Sequence, residues 1–245
     1  MSDDIISKTR QDYNLIARYF SDSRYDVWPE LKQFEQYVKP GQRVLDWGCG
    51  NGRLLLMLKD KSINYTGLDQ SDELIKIAKE KYKKDIQDGW VNFYCTATEE
   101  TNFSDEYFDL VFLIASFHHL PDEESRVRLL KKIYMETKTG GRLIMTNWNL
   151  ESVWAENKIK NKEWTQMGER DFLIPWRNSQ REILCERYYH SFMEMELNEL
   201  LQKAGWSVEL HNDLDPRSRS GMTGGHEDDD GGRNLTTIAI KKVRT

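Results

Sequence analysis

From residue 42 to about residue 148 the chain alternates short β-branched or aromatic runs with longer charged stretches whose apolar positions recur at helical spacing. That rhythm predicts strand–helix–strand units and a mostly parallel sheet covered by helices. RVLDWG at 43–48 reads as the first strand, INYTGLD at 63–69 as the second and WVNFYC at 90–95 as the third. YFDLVFLI at 107–114 and GRLIMTNW at 141–148 supply the fourth and fifth. Helices are expected to start near Gly52, Ser71 and Asp122, the last with Glu123 and Glu124 behind it as a helix N-terminus prefers.

Residues 150–190 break the rhythm, carrying Trp154, Trp164 and Trp176 among mixed charges, and read as a lid over the sheet's ligand edge. Of these, Trp154 and Trp164 are expected in a core. FMEMELNELLQKAGW at 192–206 then returns to helical spacing and closes on Gly205. WSVELH at 206–211 and LTTIAIKK at 235–242 read as two further strands, paired antiparallel. Between them, 212–234 is too long and polar for a tight hairpin and reads as a mobile loop. The expected organisation is one domain over 1–245: a helical cap at 1–40, a core at 41–149, a helical or loop lid at 150–190, and a C-terminal helix with two strands at 191–245.

A chain of 245 residues sits near the upper size for one hydrophobic core. It carries 31 % charged residues and no apolar run long enough to span a bilayer, and its start MSDDIISKTR lacks signal-peptide character, so a cytoplasmic protein without a membrane partner is expected. Cys49, Cys95 and Cys185 form no metal or disulfide spacing. A net charge of −6 argues against bulk electrostatic binding of nucleic acid and leaves room only for a local basic groove. The cluster HEDDD at His226 reads as a solvated loop, and no metal is expected.

The most specific local signal is VLDWGCGNGR at 44–53, a strand ending in Asp46 and then Gly48, Gly50 and Gly52 at alternate positions. This is not the dinucleotide pattern. Glycines at a strand-to-helix turn let backbone amides approach a ligand, and an acidic neighbour suits a cationic or polyhydroxyl ligand better than a pyrophosphate. Asp69 ends the second strand about 20 residues on, where a carboxylate in this architecture accepts from ribose hydroxyls, so a nucleoside is implied.

Together these features resemble the class I S-adenosylmethionine-dependent methyltransferases, with their Rossmann-like, seven-stranded α/β sheet whose last strand is antiparallel. The resemblance implies S-adenosyl-L-methionine as cofactor, with Gly48, Cys49, Gly50 and Asn51 around its methionine, Asp69 on the ribose, Gln70 on the adenine face, and Thr96 and Ala97 at the adenine edge. Asp46 and Ala115 complete the implied cofactor set. Thr96 stands where many of these enzymes carry a carboxylate.

A narrower resemblance lies in YNLIARYFSDSRYDVWPEL at 13–31, FHHLPDEESR at 117–126 and FLIPWRNSQREILCERYYHSFMEMELNELLQKAGW at 172–206. These are similar to the tRNA wobble-uridine methyltransferases that esterify a carboxymethyl group, including the methyltransferase domain of the AlkB-homologue tRNA enzymes. The segment 217–232 matches them poorly. The comparison puts Arg24, Trp28, His118, Trp148, Arg187, Tyr188 and His190 around the active site and implies a tRNA anticodon loop as substrate. It also implies a small zinc-ribbon activator at the edge of the third strand, where unpaired amides invite another strand.

The chemistry follows independently. A carboxylate is already ionised at neutral pH and needs no base, so positioning carries the catalysis. Arg24 or Arg187 would orient it while Trp148 or Tyr188 flank the base. Were the acceptor a phenol, a hydroxyl or a ring nitrogen, His118 would be the leading general base. Two other readings stay open: an O-methyltransferase for a small organic acid or phenolic metabolite, and a non-catalytic subunit that binds S-adenosylmethionine or tRNA.

Overall fold

The apolar run that ends at the glycine turn forms β1 (Arg43–Trp47), with Val44 and Leu45 fully enclosed. The strands that follow are β2 (Asn64–Asp69), β3 (Val91–Cys95), β4 (Phe108–Ile114) and β5 (Thr137–Asn149). Next come β6 (Thr165–Gln166), β7 (Asp171–Arg177), β8 (Ile183–His190), β9 (Ser207–Leu214) and β10 (Arg233–Ile240). The structure is a computed structural model and describes residues 2–97, 101–150, 153–214 and 233–243.

Seven strands make one sheet in the order β3-β2-β1-β4-β5-β10-β9. β1 to β5 run parallel, and β10 inserts antiparallel between β5 and β9. The strand order reverses between β1 and β4, and this switch point opens the crevice in which ligands of open α/β sheets bind. β3 is an edge strand, as expected.

The sheet's two faces carry separate cores. One joins Val44, Tyr65, Phe93 and Phe112 to the α3 side; the other joins Leu45, Val111, Met145 and Trp206 to the α5 and α7 side. The helices are α1 (Ser2–Ser23), α2 (Leu55–Leu58), α3 (Asp72–Lys81), α4 (Lys83–Gln87), α5 (Glu123–Glu136), α6 (Val153–Lys160) and α7 (Glu194–Lys203). Ser71 and Asp122 cap α3 and α5 by accepting from Leu74 N and Ser125 N, as their sequence positions predict. The helix expected at Gly52 is delayed. Gly52 has a φ of +72°, and the chain turns before entering the short α2.

α1 closes over the sheet's carboxyl edge. Asn14 receives the Ser71 hydroxyl at 2.6 Å and donates to Asp72 at 2.7 Å. Farther along, Asn51 donates to Ser21 Oγ at 3.0 Å and to the Arg24 carbonyl at 3.2 Å.

Residues 150–190 differ from expectation. They hold α6 and a separate antiparallel sheet, β6-β7-β8, rather than helix and loop alone. Arg187, Tyr188, Tyr189 and His190 are all buried, so β8 is covered on both faces and has no polar-out alternation to announce it. Trp164 packs with Trp148, Phe172 and Tyr189 in a core cluster, as expected; the Trp154 side chain lies outside the described residues. β9 and β10 take both ends of the segment expected as a mobile loop, and residues 215–232, including His226, are also outside the described residues.

Candidate active site

The crevice at the switch point deepens into a cavity of about 430 Å³, within the range of sites that enclose a small ligand. Its floor is the turn after β1. Gly48, Gly50 and Gly52 have φ of +78°, +55° and +72°, a region that costs other residues energy. At Gly48 a side chain would also run into Ser116, whose Oγ lies 2.7 Å from where a Cβ would stand. The turn is thereby pressed against the end of β4 with its backbone facing the cavity.

Two carboxylates stand behind this turn. Asp69 accepts from Gly50 N at 2.9 Å through one oxygen and from Ser71 N at 2.8 Å through the other. Burial raises its pKa, and these backbone bonds oppose the rise. Each oxygen keeps a second lone pair, and the group lines the cavity, which is what a ribose diol requires. Asp46 accepts from the Tyr65 phenol at 2.6 Å. Burial pushes its pKa up to about 7, with that phenol opposing and the Asp69 charge adding to the rise. A ligand carrying positive charge would hold both carboxylates ionised.

Of the residues implied for the cofactor, Asp46, Gly48, Cys49, Gly50, Asn51, Asp69, Gln70, Thr96 and Ala115 line this one cavity. Ala97 does not: it is exposed beyond Thr96, whose amide is held by the Asp69 carbonyl at 2.8 Å and which ends the wall. Ala115 has a φ of +49°, unusual for a residue with a Cβ, and its amide is fixed by Thr146 at 3.0 Å. An adenosyl sulfonium fits this donor set of backbone amides and carboxylates.

The opposite wall comes from α1, the turn after β4, β5 and β8. His118, Tyr189 and Trp148 form a three-ring cluster: Tyr189 stacks 4.8 Å from each of the other two, at interplanar angles of 26° and 23°, and His118 and Trp148 are themselves 5.9 Å apart and tilted. Arg187, 4 % exposed, sits over Tyr189 at 5.2 Å, Trp176 at 4.9 Å and Tyr13 at 5.8 Å, a set of cation–π contacts around one guanidinium. Arg24 reaches the rim over Trp176 at 5.8 Å. Trp28 also lines the cavity, as the sequence comparison implied, and Arg53 lies over its ring at 4.3 Å. Burial and the nearby Arg24 charge lower the Arg53 pKa to about 10, leaving it a cation.

Tyr188 and His190 are not in this cavity. Successive strand residues point to opposite faces, so Arg187 and Tyr189 face the cavity while Tyr188 and His190 face away. The Tyr188 phenol bonds to Asp171, and His190 bridges Asp171 at 2.7 Å and Glu196 at 2.9 Å. Tyr189, Tyr13 and Phe20 also line the cavity, though the sequence comparison did not place them at the active site.

His118 departs from its expected chemistry as well. It is 1 % exposed, and burial holds its pKa well below the usual histidine range, helped by the neighbouring His119, Arg187 and His190. Its Nδ1 accepts from Trp148 N at 3.4 Å, which leaves the proton on Nε2. Such a histidine donates a hydrogen bond and is a poor base at neutral pH.

Comparison with known proteins agrees with this geometry. A family model described as a methyltransferase domain matches residues 45–145. The chain is 28 % identical over 219 residues to the tRNA (carboxymethyluridine(34)-5-O)-methyltransferase of Schizosaccharomyces pombe, covering 82 % of this chain and 89 % of that one. It spans only about a third of the length of the next curated relatives it matches. An S-adenosylmethionine-dependent methyltransferase from Methanosarcina mazei superposes with a TM-score of 0.66 at 23 % identity, over 89 % of this chain and all of that one. A Haloferax volcanii methyltransferase, solved in complex with the activator Trm112, superposes with a TM-score of 0.65 at 16 % identity, over 97 % and 99 % of the two chains.

Proposed function

We propose, from the premise that this chain is a class I S-adenosylmethionine-dependent methyltransferase, that its acceptor is the carboxylate of a carboxymethyl-modified wobble uridine in a tRNA anticodon loop. The observation that carries this reading is Arg187, a buried cation ringed by aromatic side chains in the same cavity as Asp69 and the glycine turn. A guanidinium in a cavity wall can donate charge-assisted hydrogen bonds to an anionic acceptor. The Schizosaccharomyces pombe relative, whose name specifies carboxymethyluridine at position 34, supplies the particular anion.

The bound cofactor supplies an electrophilic methyl on a sulfonium that becomes a neutral thioether as the methyl leaves. The chain's part is to bind, orient and keep water out. Asp69 holds the ribose, Gln70 and Thr96 border the adenine, and the turn from Gly48 to Asn51 receives the methionine end, with Asp46 behind it supplying negative charge. Arg187 orients the acceptor oxygen, and Arg24 at the rim takes a neighbouring phosphate. Full bidentate capture would quench the oxygen's nucleophilicity, so one guanidinium bond to the far oxygen leaves the near one to react. The Trp148–Tyr189–His118 cluster borders the base, and no residue need accept a proton because the nucleophile arrives ionised.

The weak basicity of His118 counts against a phenol or alcohol acceptor, which would need a general base. The proposal extends to the edge strand β3 as the docking site of a small zinc-ribbon activator, supported by the strand's edge position and by the Haloferax complex. Incubation with methyl-labelled S-adenosylmethionine, beside bulk tRNA or beside a small-molecule extract, tests the acceptor class. Label in tRNA alone supports the reading; label only in small molecules contradicts it.

A further inference from the structure

The guanidinium of Arg187 begins a chain of hydrogen bonds that returns to its own strand. Arg187 Nη1 lies 3.5 Å from the Tyr13 phenol oxygen, and that oxygen lies 2.8 Å from His119 Nε2. On its other side His119 Nδ1 lies 2.7 Å from the carbonyl oxygen of Tyr188, the residue after Arg187.

The direction of every bond is fixed. A carbonyl only accepts, so Nδ1 of His119 carries a proton. Burial holds the His119 pKa near 3, against the Tyr188 bond that raises it, and the ring is therefore neutral. With its one proton on Nδ1, Nε2 is an acceptor, and the Tyr13 hydroxyl must donate to it. That turns the phenol's lone pairs toward the guanidinium, which only donates.

We propose that Tyr13 and His119 are positioning residues for Arg187, forming with the Tyr188 carbonyl a one-way relay that fixes the guanidinium toward the cavity and ties α1, the turn after β4 and β8 together around the acceptor site. The inference rests on the reading that Arg187 holds the acceptor carboxylate. Near this relay the buried Asp12 carboxylate feels the Arg187 charge and accepts from Lys8 at 2.7 Å. A neutral acceptor atom serves the relay better than a carboxylate in its place. It aligns the guanidinium without neutralising the charge needed by the acceptor.

The test combines kinetics with a spectroscopic readout that needs no acceptor. Tyr13→Phe removes the hydroxyl that makes two of the relay's three bonds, to Arg187 and to His119, and keeps the ring that packs on Phe20 at 5.6 Å. In the Tyr13→Phe enzyme kcat/KM for the acceptor falls about tenfold, the effect of one hydrogen bond, while affinity for S-adenosylhomocysteine by calorimetry stays within about twofold. In an Arg187→Gln background the same substitution adds no further loss, because Tyr13 acts through Arg187. An equal loss in both backgrounds, or a parallel loss of S-adenosylhomocysteine affinity, overturns the proposal and leaves Tyr13 a packing residue.

Nitrogen NMR of His119, assigned by the signal lost in His119→Asn, is expected to show the Nδ1–H tautomer. A proton on Nε2 overturns the relay whatever the acceptor is. The outcomes separate the two claims. An Nδ1–H tautomer and a coupled Tyr13–Arg187 pair, measured on an acceptor that is not a carboxylate, retain the relay and reject the acceptor reading.

Discussion

The Tyr65 phenol donates a 2.6 Å hydrogen bond to the Asp46 carboxylate directly behind the glycine turn, and both side chains are enclosed by the core. The carboxylate is held where water cannot solvate it, with one strong donor and a pKa pushed up to about 7. It supplies negative charge to a cationic ligand at neutral pH and little below it.

Affinity for S-adenosylmethionine is therefore expected to weaken as pH falls from 8 to 6, as Asp46 takes up a proton. Asp46→Asn flattens that dependence and lowers affinity at pH 8. The stability effect has the opposite sign. Because the folded pKa of about 7 lies above the ordinary value of 3.8, the stability present below about pH 4 is lost as pH rises through 7. Asp46→Asn thus melts higher than the parent at pH 8. Calorimetric titration and thermal melts over pH 5–8 check both signs, and an unchanged Tm at pH 8 counts against a buried ionised carboxylate.

Asp69 and Arg187 separate cofactor from acceptor. Asp69→Ala removes hydrogen bonds to a charged acceptor, about 1.5–3 kcal/mol, and weakens S-adenosylhomocysteine binding roughly 10- to 100-fold. Arg187→Ala leaves that binding within about twofold and lowers turnover, because Arg187 comes from β8 and not from the ends of β1 and β2 that carry the glycine turn and Asp69. Equal loss of cofactor affinity in the two variants contradicts the division of the cavity.

At saturating cofactor, kcat is expected to be flat from pH 6 to 8.5, since the carboxylate nucleophile is ionised throughout and His118 stays neutral. His118→Asn lowers kcat without altering the profile. An inflection near pH 6.5 in the parent that disappears in His118→Asn would instead identify a general base.

Gly48→Ala combines a positive φ with intrusion on Ser116, a pair of penalties amounting to roughly 2–4 kcal/mol. For a chain of this size the Tm falls by about 2–4 °C per kcal/mol. Adding Ser116→Gly recovers the steric part of the loss and leaves the backbone part. A thermal melt of the two variants beside the parent measures each share.

The sheet was legible because β1 to β5 are largely buried apolar runs, and its ligand edge because β1 runs into a glycine turn and β2 ends in an acidic residue, a pattern local to each strand. The cofactor wall followed, since Gly48 to Asn51 and Asp69 lie at the ends of two such strands. The acceptor wall was legible only in part. FHHL and ERYYH marked the right segments, but Arg187 to His190 are buried on both faces, so no polar–apolar alternation says which of Tyr188 and Tyr189 faces inward. The contact between Tyr13 and Arg187 joins residues 174 apart in the chain, and nothing local to either records it.

The most direct measurement is the base lability of the transferred methyl. tRNA labelled by this enzyme from methyl-labelled S-adenosylmethionine is expected to release its label as volatile methanol under mild alkali, as a methyl ester does, with the label confined to molecules bearing a carboxymethyl wobble uridine. Label that survives alkali in the tRNA, as an ether or a ring methyl would, contradicts transfer to a carboxylate.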